Sequence, residues 1–415
     1  MTSPSALLRR TFSAFAVRNF RIYFIGQVIS VSGSWMQRVA QSWLVLELTG
    51  SGSAVGAVTA AQFLPILLMA PFGGLIADRL DKRRVLYLTQ TLAAATAAIL
   101  GWLVITDTVE LWMVFALALV HGMVGSFDNP ARHAFVMEMV GRSRLTNAVG
   151  LNSVLVHTAR VIGPAIGGVL IVTVGIGICF LINSVSYFFF IAALLLMRSA
   201  EIERSRPEPR RRRQLRDALA YVRSKPVLFV PLAMMGVIGL LTYEFEVVLP
   251  LLARFTFDGG ADTFGIMFAV MGAGAVLGGL YTATRGDRPG RSMIRLAYAL
   301  AAVMTLTTIA PSLWVAYLSL FLVGMVATSF FTLGNAVMQL NSVPEMRGRV
   351  IALRSAAILG ARPLGAPIVG WIGEHLGPRY ALAVGAVAAL AAAVWAHHWL
   401  LGYDRRRAAA PAEAA

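Results

Sequence analysis

A chain of 415 residues that is 58% hydrophobic and only 13% charged does not read as a soluble domain, where about a quarter of residues are charged. Its net charge of +16 would suit a nucleic-acid partner if the basic residues were massed together, but they fall in groups between apolar runs, so no such partner is expected. One cysteine, Cys179, in an apolar run, and six histidines without metal-ligand spacing argue against a disulfide framework and a metal site.

A bilayer core of about 30 Å takes roughly 20 apolar residues per helix. Runs such as Trp112 to Val120 are apolar all round, unlike the alternating strands of a barrel. The expected fold is an all-α membrane protein with twelve transmembrane helices. The first six spans lie near 20–47, 53–77, 85–106, 111–131, 146–171 and 174–197. Six more lie near 227–253, 262–284, 292–310, 313–336, 350–373 and 379–402.

Basic groups mark every second loop. Arg9, Arg10, Arg18 and Arg21 precede the first span; Arg79, Lys82, Arg83 and Arg84 follow the second; Arg132, Arg142 and Arg144 follow the fourth. Others fall at Arg210 to Arg213, at Arg285, Arg288 and Arg291, at Arg347 and Arg349, and at Arg405 to Arg407. The loops between, such as Thr49 to Ser53 and Val172 to Gly177, are almost free of positive charge. Basic loops stay cytoplasmic, so the alternation predicts an even number of spans with both termini in the cytoplasm. Arg9-Arg10 is a poor export signal, because Arg18 and Arg21 interrupt the stretch after it and no clean cleavage site appears.

The expected organisation is an N-terminal six-helix half (1–197), a cytoplasmic linker (198–226), a C-terminal six-helix half (227–402) and a cytoplasmic tail (403–415). Late in the linker Leu215, Leu219 and Val222 recur at helical spacing beside Arg216 and Arg223, which suits an amphipathic helix lying on the cytoplasmic leaflet, a plain solvated linker being the alternative. ARVIGPAIGGVLI (159–171) and GARPLGAPIVGWIG (360–373) share an arginine, a proline and close glycines. Such a repeat points to pseudo-symmetric halves, an architecture of transporters.

GGLIADRLDKRR (73–84), between spans 2 and 3, resembles the signature loop of the major facilitator superfamily. Gly74, Asp78, Arg79, Arg83 and Arg84 match it, and Asp81 stands where that family usually has glycine. The resemblance implies a conformational latch, with Asp78 meeting the start of span 11 near Arg347, Arg349 or Arg354. Span 5 resembles the superfamily's antiporter motif in Gly150, Arg160, Gly163, Pro164, Gly167 and Gly168, with Ala159 in place of a further glycine. For these glycines close helix packing is at least as good a reading. FDNPARHAFVMEMV (127–140), LELTGSGSAVG (46–56) and RGRVIALRS (347–355) resemble the bacterial branch that includes enterobactin exporters and related multidrug exporters. Where many proton-coupled members carry an arginine in span 4, this chain offers His121 and Asp128.

Charges inside a membrane are functional candidates by default. Arg38, Arg160, Glu244, Glu246 and Arg362 qualify, and a rise of about 1.5 Å per residue puts Arg38 and Glu246 at similar depth, able to pair. One glutamate is expected to pair with arginine and the other to face a cavity as a proton carrier, unless both sit on the outer lip. Gln27, Gln37, Gln41, Asp128, Asn335 and Gln339, with Trp35, Tyr243 and Phe331, suit a cavity for an amphipathic, partly aromatic solute. Interhelical hydrogen bonding is the plainer reading for each.

No nucleophile and base set, phosphate loop or cofactor fingerprint occurs. The expectation is therefore no enzyme and no cofactor, but a monomeric secondary transporter of the bacterial inner membrane, driven by an ion gradient, with protons as the expected ion. The resemblance implies export of a siderophore or drug-like molecule; uptake of a solute and a non-transporting sensor on the same fold are the alternatives.

Overall fold

The computed structural model describes residues 12–203, 214–284 and 289–409, with backbone alone at 70–79, 214–215, 283–284, 289–291, 344–345 and 400–409. Among the described residues it is helical, without strands. The helices are α1 (Arg18–Thr49), α2 (Gly52–Arg79), α3 (Lys82–Ile105), α4 (Leu111–Val174), α5 (Ile176–Leu195), α6 (Gln214–Ser224) and α7 (Pro226–Leu241). They continue with α8 (Phe245–Thr256), α9 (Ala261–Thr284), α10 (Pro289–Thr308), α11 (Leu313–Leu340), α12 (Pro344–Leu359), α13 (Arg362–His375) and α14 (Pro378–Ala409).

Nine described segments are long and apolar enough to cross a membrane. One of them, α4, has 64 residues, about three bilayers long at 1.5 Å per residue. Gly141 interrupts it with φ 69° and ψ 174°, a conformation that side chains with a Cβ disfavour. Two limbs, 111–140 and 142–174, result. The twelve passages predicted from sequence require both limbs, together with α1 and the shorter apolar helix α10, in addition to the other eight segments.

Large apolar side chains point outward along these helices, among them Trp102, Val169, Leu195, Trp314 and Leu318, as a lipid-facing surface requires. Inside, helices meet through small residues and a few polar contacts. Lys82, at the start of α3, forms a buried 3.0 Å ion pair with Glu138 on α4. Asp81 caps α3, accepting from the backbone N–H groups of Arg83 (3.0 Å) and Arg84 (3.3 Å). The aspartate that replaces the usual glycine is thus a helix N-cap.

Residues Gln214–Ser224 form the helix α6, whose apolar residues are partly covered by protein, Leu219 being half-buried. Ala218 and Val222 are fully buried, the helix packs on α7 and α12, and the Tyr221 hydroxyl accepts from the Val343 N–H at 3.1 Å. Leu215 lies outside the described side chains.

The N-terminal and C-terminal parts of the chain meet mainly at two seams, α2 with α13 and the second limb of α4 with α9. Both lie toward the end of the bundle opposite Arg18. At the first, a Cβ on Gly56 would overlap the carbonyl oxygen of Ala366. At the second, a Cβ on Gly168 would sit 2.9 Å from the Gly265 Cα and 3.0 Å from the Ala261 oxygen. Glu374 closes the first seam, accepting from the Ser51 hydroxyl (2.7 Å) and the Ser53 N–H (2.8 Å) at the start of α2.

Candidate functional site

The predicted spans 227–253 and 350–373 are both broken. The first divides into α7 and α8 around Thr242 to Glu244, the second into α12 and α13 around Gly360 and Ala361. Breaks of this kind are tolerated at membrane depth where protein or a cavity satisfies the freed backbone. Here they face each other, because Gly365 lies so close to α7 that a Cβ would overlap the Leu240 carbonyl oxygen.

Glu244 immediately precedes α8 and Arg362 opens α13. Arg362 donates Nε and Nη2 to Glu244 Oε2, each at 3.4 Å, and Nη1 to Glu246 Oε1 at 3.3 Å. The same Glu246 oxygen accepts from Arg38 Nη1 at 3.2 Å, across from α1. Arg362 stacks on Phe63 at 4.0 Å and Arg38 on Trp35 at 4.6 Å. Glu244 is 1% exposed, while the Arg38 side chain keeps 32%. Arg38 and Glu246 meet, as their depths predict, but both glutamates hold Arg362 instead of dividing the work. Glu244 Oε1 is buried without a partner.

Two cavities adjoin this cluster. One, about 230 Å³, is lined by Arg160, Tyr243, Glu246, Phe268 and Arg362; the other, about 290 Å³, by Gln27, Gln62, His121, Asp128, Arg132 and Asn152. They share Trp35, Arg38, Phe63, Ile66 and Asn129. In the larger one Gln27 Oε1, His121 Nδ1 and Asn152 Oδ1 are buried without partners, which leaves capacity for a polar occupant.

Asp128 accepts from the Thr89 hydroxyl (2.7 Å), Gln90 Nε2 (2.8 Å) and Arg132 Nε. Sequence reasoning assigned Arg132 to a loop, because it ended span 4 at residue 131, whereas the first limb of α4 runs to residue 140. The i,i+4 spacing of Asp128 and Arg132 was the available signal. Gln37 accepts from Asn183, the interhelical role given as the plainer reading. Gln41 borders a small space beside Arg38 and Glu246. Asn335 and Gln339, on α11, line neither large cavity.

Arg160 donates to the Tyr243 hydroxyl. In the antiporter-like motif Gly163 packs against Ser32 and Trp35, Gly167 against Met36 and Gly168 against Gly265, with Pro164 buried beside them; Gly150 faces open space. Of the latch residues, Gly74, Asp78 and Arg79 lie outside the described side chains, so the predicted meeting of Asp78 with Arg347, Arg349 or Arg354 falls outside them too. Arg83 binds within the N-terminal part, to the Leu194 carbonyl and the hydroxyls of Ser199 and Tyr87; Arg84 is exposed.

Residues 9–412 match the pattern of transmembrane secretion effectors, a group within the major facilitator superfamily. The chain is 25% identical to the staphyloferrin A transporter of Staphylococcus aureus, covering 80% of this chain and 84% of that one. It is 24% identical to the enterobactin exporter of Salmonella typhi, covering 86% of each. A bacterial homologue of the human lysosomal transporter Spinster, solved inward-facing and occupied, superposes with a TM-score of 0.70 at 14% identity, over 93% of this chain and 96% of that one.

Proposed function

Because the chain belongs to the transmembrane secretion effector family of the major facilitator superfamily, we propose that it exports a small amphipathic molecule across the bacterial inner membrane in exchange for protons. Two six-helix halves, 1–197 and 227–402, rock about the site to give alternating access, the linker 198–226 and both termini lying in the cytoplasm. The cargo is a siderophore or a drug-like compound, in keeping with the relatives.

The observation that carries this reading is the cluster of Arg38, Glu244, Glu246 and Arg362 at two facing helix breaks, beside cavities and at the junction of the two parts. Buried ion pairs are stable only while complete. A proton taken by either glutamate weakens its hold on arginine, and the Arg38 contact joins α1 to α8. Protonation and relative movement of the two parts are therefore linked through the same atoms. The two seams, closed at the end opposite Arg18, support an arrangement open toward the cytoplasm.

The test is efflux in inside-out vesicles under an imposed pH gradient, with an environment-sensitive dye as reporter. Wild type is expected to move dye only with the gradient, Glu244→Gln or Glu246→Gln to abolish the coupled flux at one site at least, and both variants to insert normally. Full coupled transport in both would rule out glutamate-borne exchange. Dye movement in the opposite direction would favour uptake, and none in any condition a sensor.

A further inference from the structure

Four arginines line the two cavities, against three carboxylates in contact with them. Arg38 has Glu246, Arg132 has Asp128, and Arg362 has Glu244 and Glu246. No carboxylate among the described residues forms a direct ion pair with Arg160; Glu246, which lines the same cavity, acts on it only at longer range. It donates to the Tyr243 hydroxyl, and its guanidinium lies 5.3 Å from the Trp35 ring centre and 5.0 Å from that of Tyr243. Its Nε is buried with no acceptor.

A guanidinium in a low-dielectric site needs a counter-charge. Two aromatic faces and the more distant Glu246 supply part of it, and a neutral hydroxyl supplies one acceptor for a group with five donors. Arg160 lines the 230 Å³ cavity. The flat fork of guanidinium matches a planar oxyanion and grips it by two parallel bonds. Beside it Trp35 and Tyr243 offer flat apolar walls, and Phe331 braces Tyr243 edge-on at 5.1 Å.

We propose that Arg160 is the anion receptor of the cargo site, and that the cargo carries a carboxylate or similar planar oxyanion next to a flat apolar group that packs on the aromatic lining of the cavity, Phe63, Phe245 and Phe268 among it. This rests on the export reading and narrows its cargo to organic anions. The paired arginines are poorer receptors, because an incoming anion must first displace a carboxylate from each.

Three probes of one shape and different charge test it: 1-naphthoate, 1-naphthamide and 1-naphthylmethylamine, by equilibrium dialysis against the full-length protein in nanodiscs. Wild type is expected to bind the acid at least tenfold more tightly than the amide or the amine. Arg160→Gln should weaken acid binding at least tenfold more than amide binding and so erase the preference, a split that collapse of the site would not produce. Arg160→Lys should keep part of the preference, and it carries the comparison if the glutamine variant does not fold. Equal binding of acid and amide by wild type, or a preference that survives Arg160→Gln undiminished, overturns the proposal. Gradient-driven efflux of a cationic dye with no anion preference would sink this inference and leave export standing. An anion preference without any transport would do the reverse.

Discussion

Arg362 is the hub of the charge cluster, since it alone holds Glu244 and it shares Glu246 with Arg38. Removing one member of a buried pair costs about 3–5 kcal/mol, whereas removing both members costs much less. Arg362→Gln is therefore expected to lower the melting temperature in detergent more than the double variant Arg362→Gln with Glu244→Gln. A double variant less stable than the single one would show that the pair does not hold the two helix breaks together. The meeting of Arg38 with Glu246 could be read from the chain, because depth along two helices follows from rise per residue. The second partner of Glu246 could not: Arg362 reaches it only because span 11 breaks just before that residue, which redirects the side chain. Arg132 was misread for a related reason, since a basic residue at a span end looks the same whether it ends the helix or continues it.

The positions of the helices were legible because a bilayer imposes a length on each apolar run. Their interruptions were not. Residues 227–253 form an apolar stretch apart from Thr242 and the two glutamates, and the prolines within it, Pro231 and Pro250, sit inside helices while the break falls at Thr242 to Glu244. The break is set by tertiary contacts: the Thr242 hydroxyl bonds to the Gly385 carbonyl at 2.9 Å on α14, and Arg362 engages Glu244. The seams depend on missing side chains in the same tertiary way. Gly168→Leu places bulk against the backbone of α9, and the α4–α9 seam is expected to part. With spin labels on cysteines at Asp107 and Ile309, in a background where Cys179 is replaced by alanine, the interlabel distance should lengthen in that variant. An unchanged distance would mean that the seam is not what holds that end shut.

The charge alternation that organises the whole chain makes its own prediction about orientation. Cysteines placed singly at Asp107 and Ser199, again without Cys179, are expected to differ toward a membrane-impermeant maleimide. In spheroplasts Asp107→Cys should label and Ser199→Cys should label only after permeabilisation. The opposite pattern would invert the protein in the membrane and turn the proposed export into uptake.

One oxygen, Glu246 Oε1, is held at once by Arg38 from the N-terminal part and by Arg362 from the C-terminal part. If the closed end opens, that atom can follow only one of them. It lies on α8, close to Arg362, so Arg38 is the one that departs. The C-terminal side then keeps two carboxylates against one guanidinium, and Arg38 departs with no partner. Separating those charges in a poorly polarisable medium is costly unless something neutralises each side: a proton for the surplus carboxylate, a bound anion for the bare arginines. Under the proposed exchange, an empty, unprotonated molecule would then be held on one side of its cycle, and the leak that would waste the gradient would be suppressed by electrostatics instead of by a separate gate.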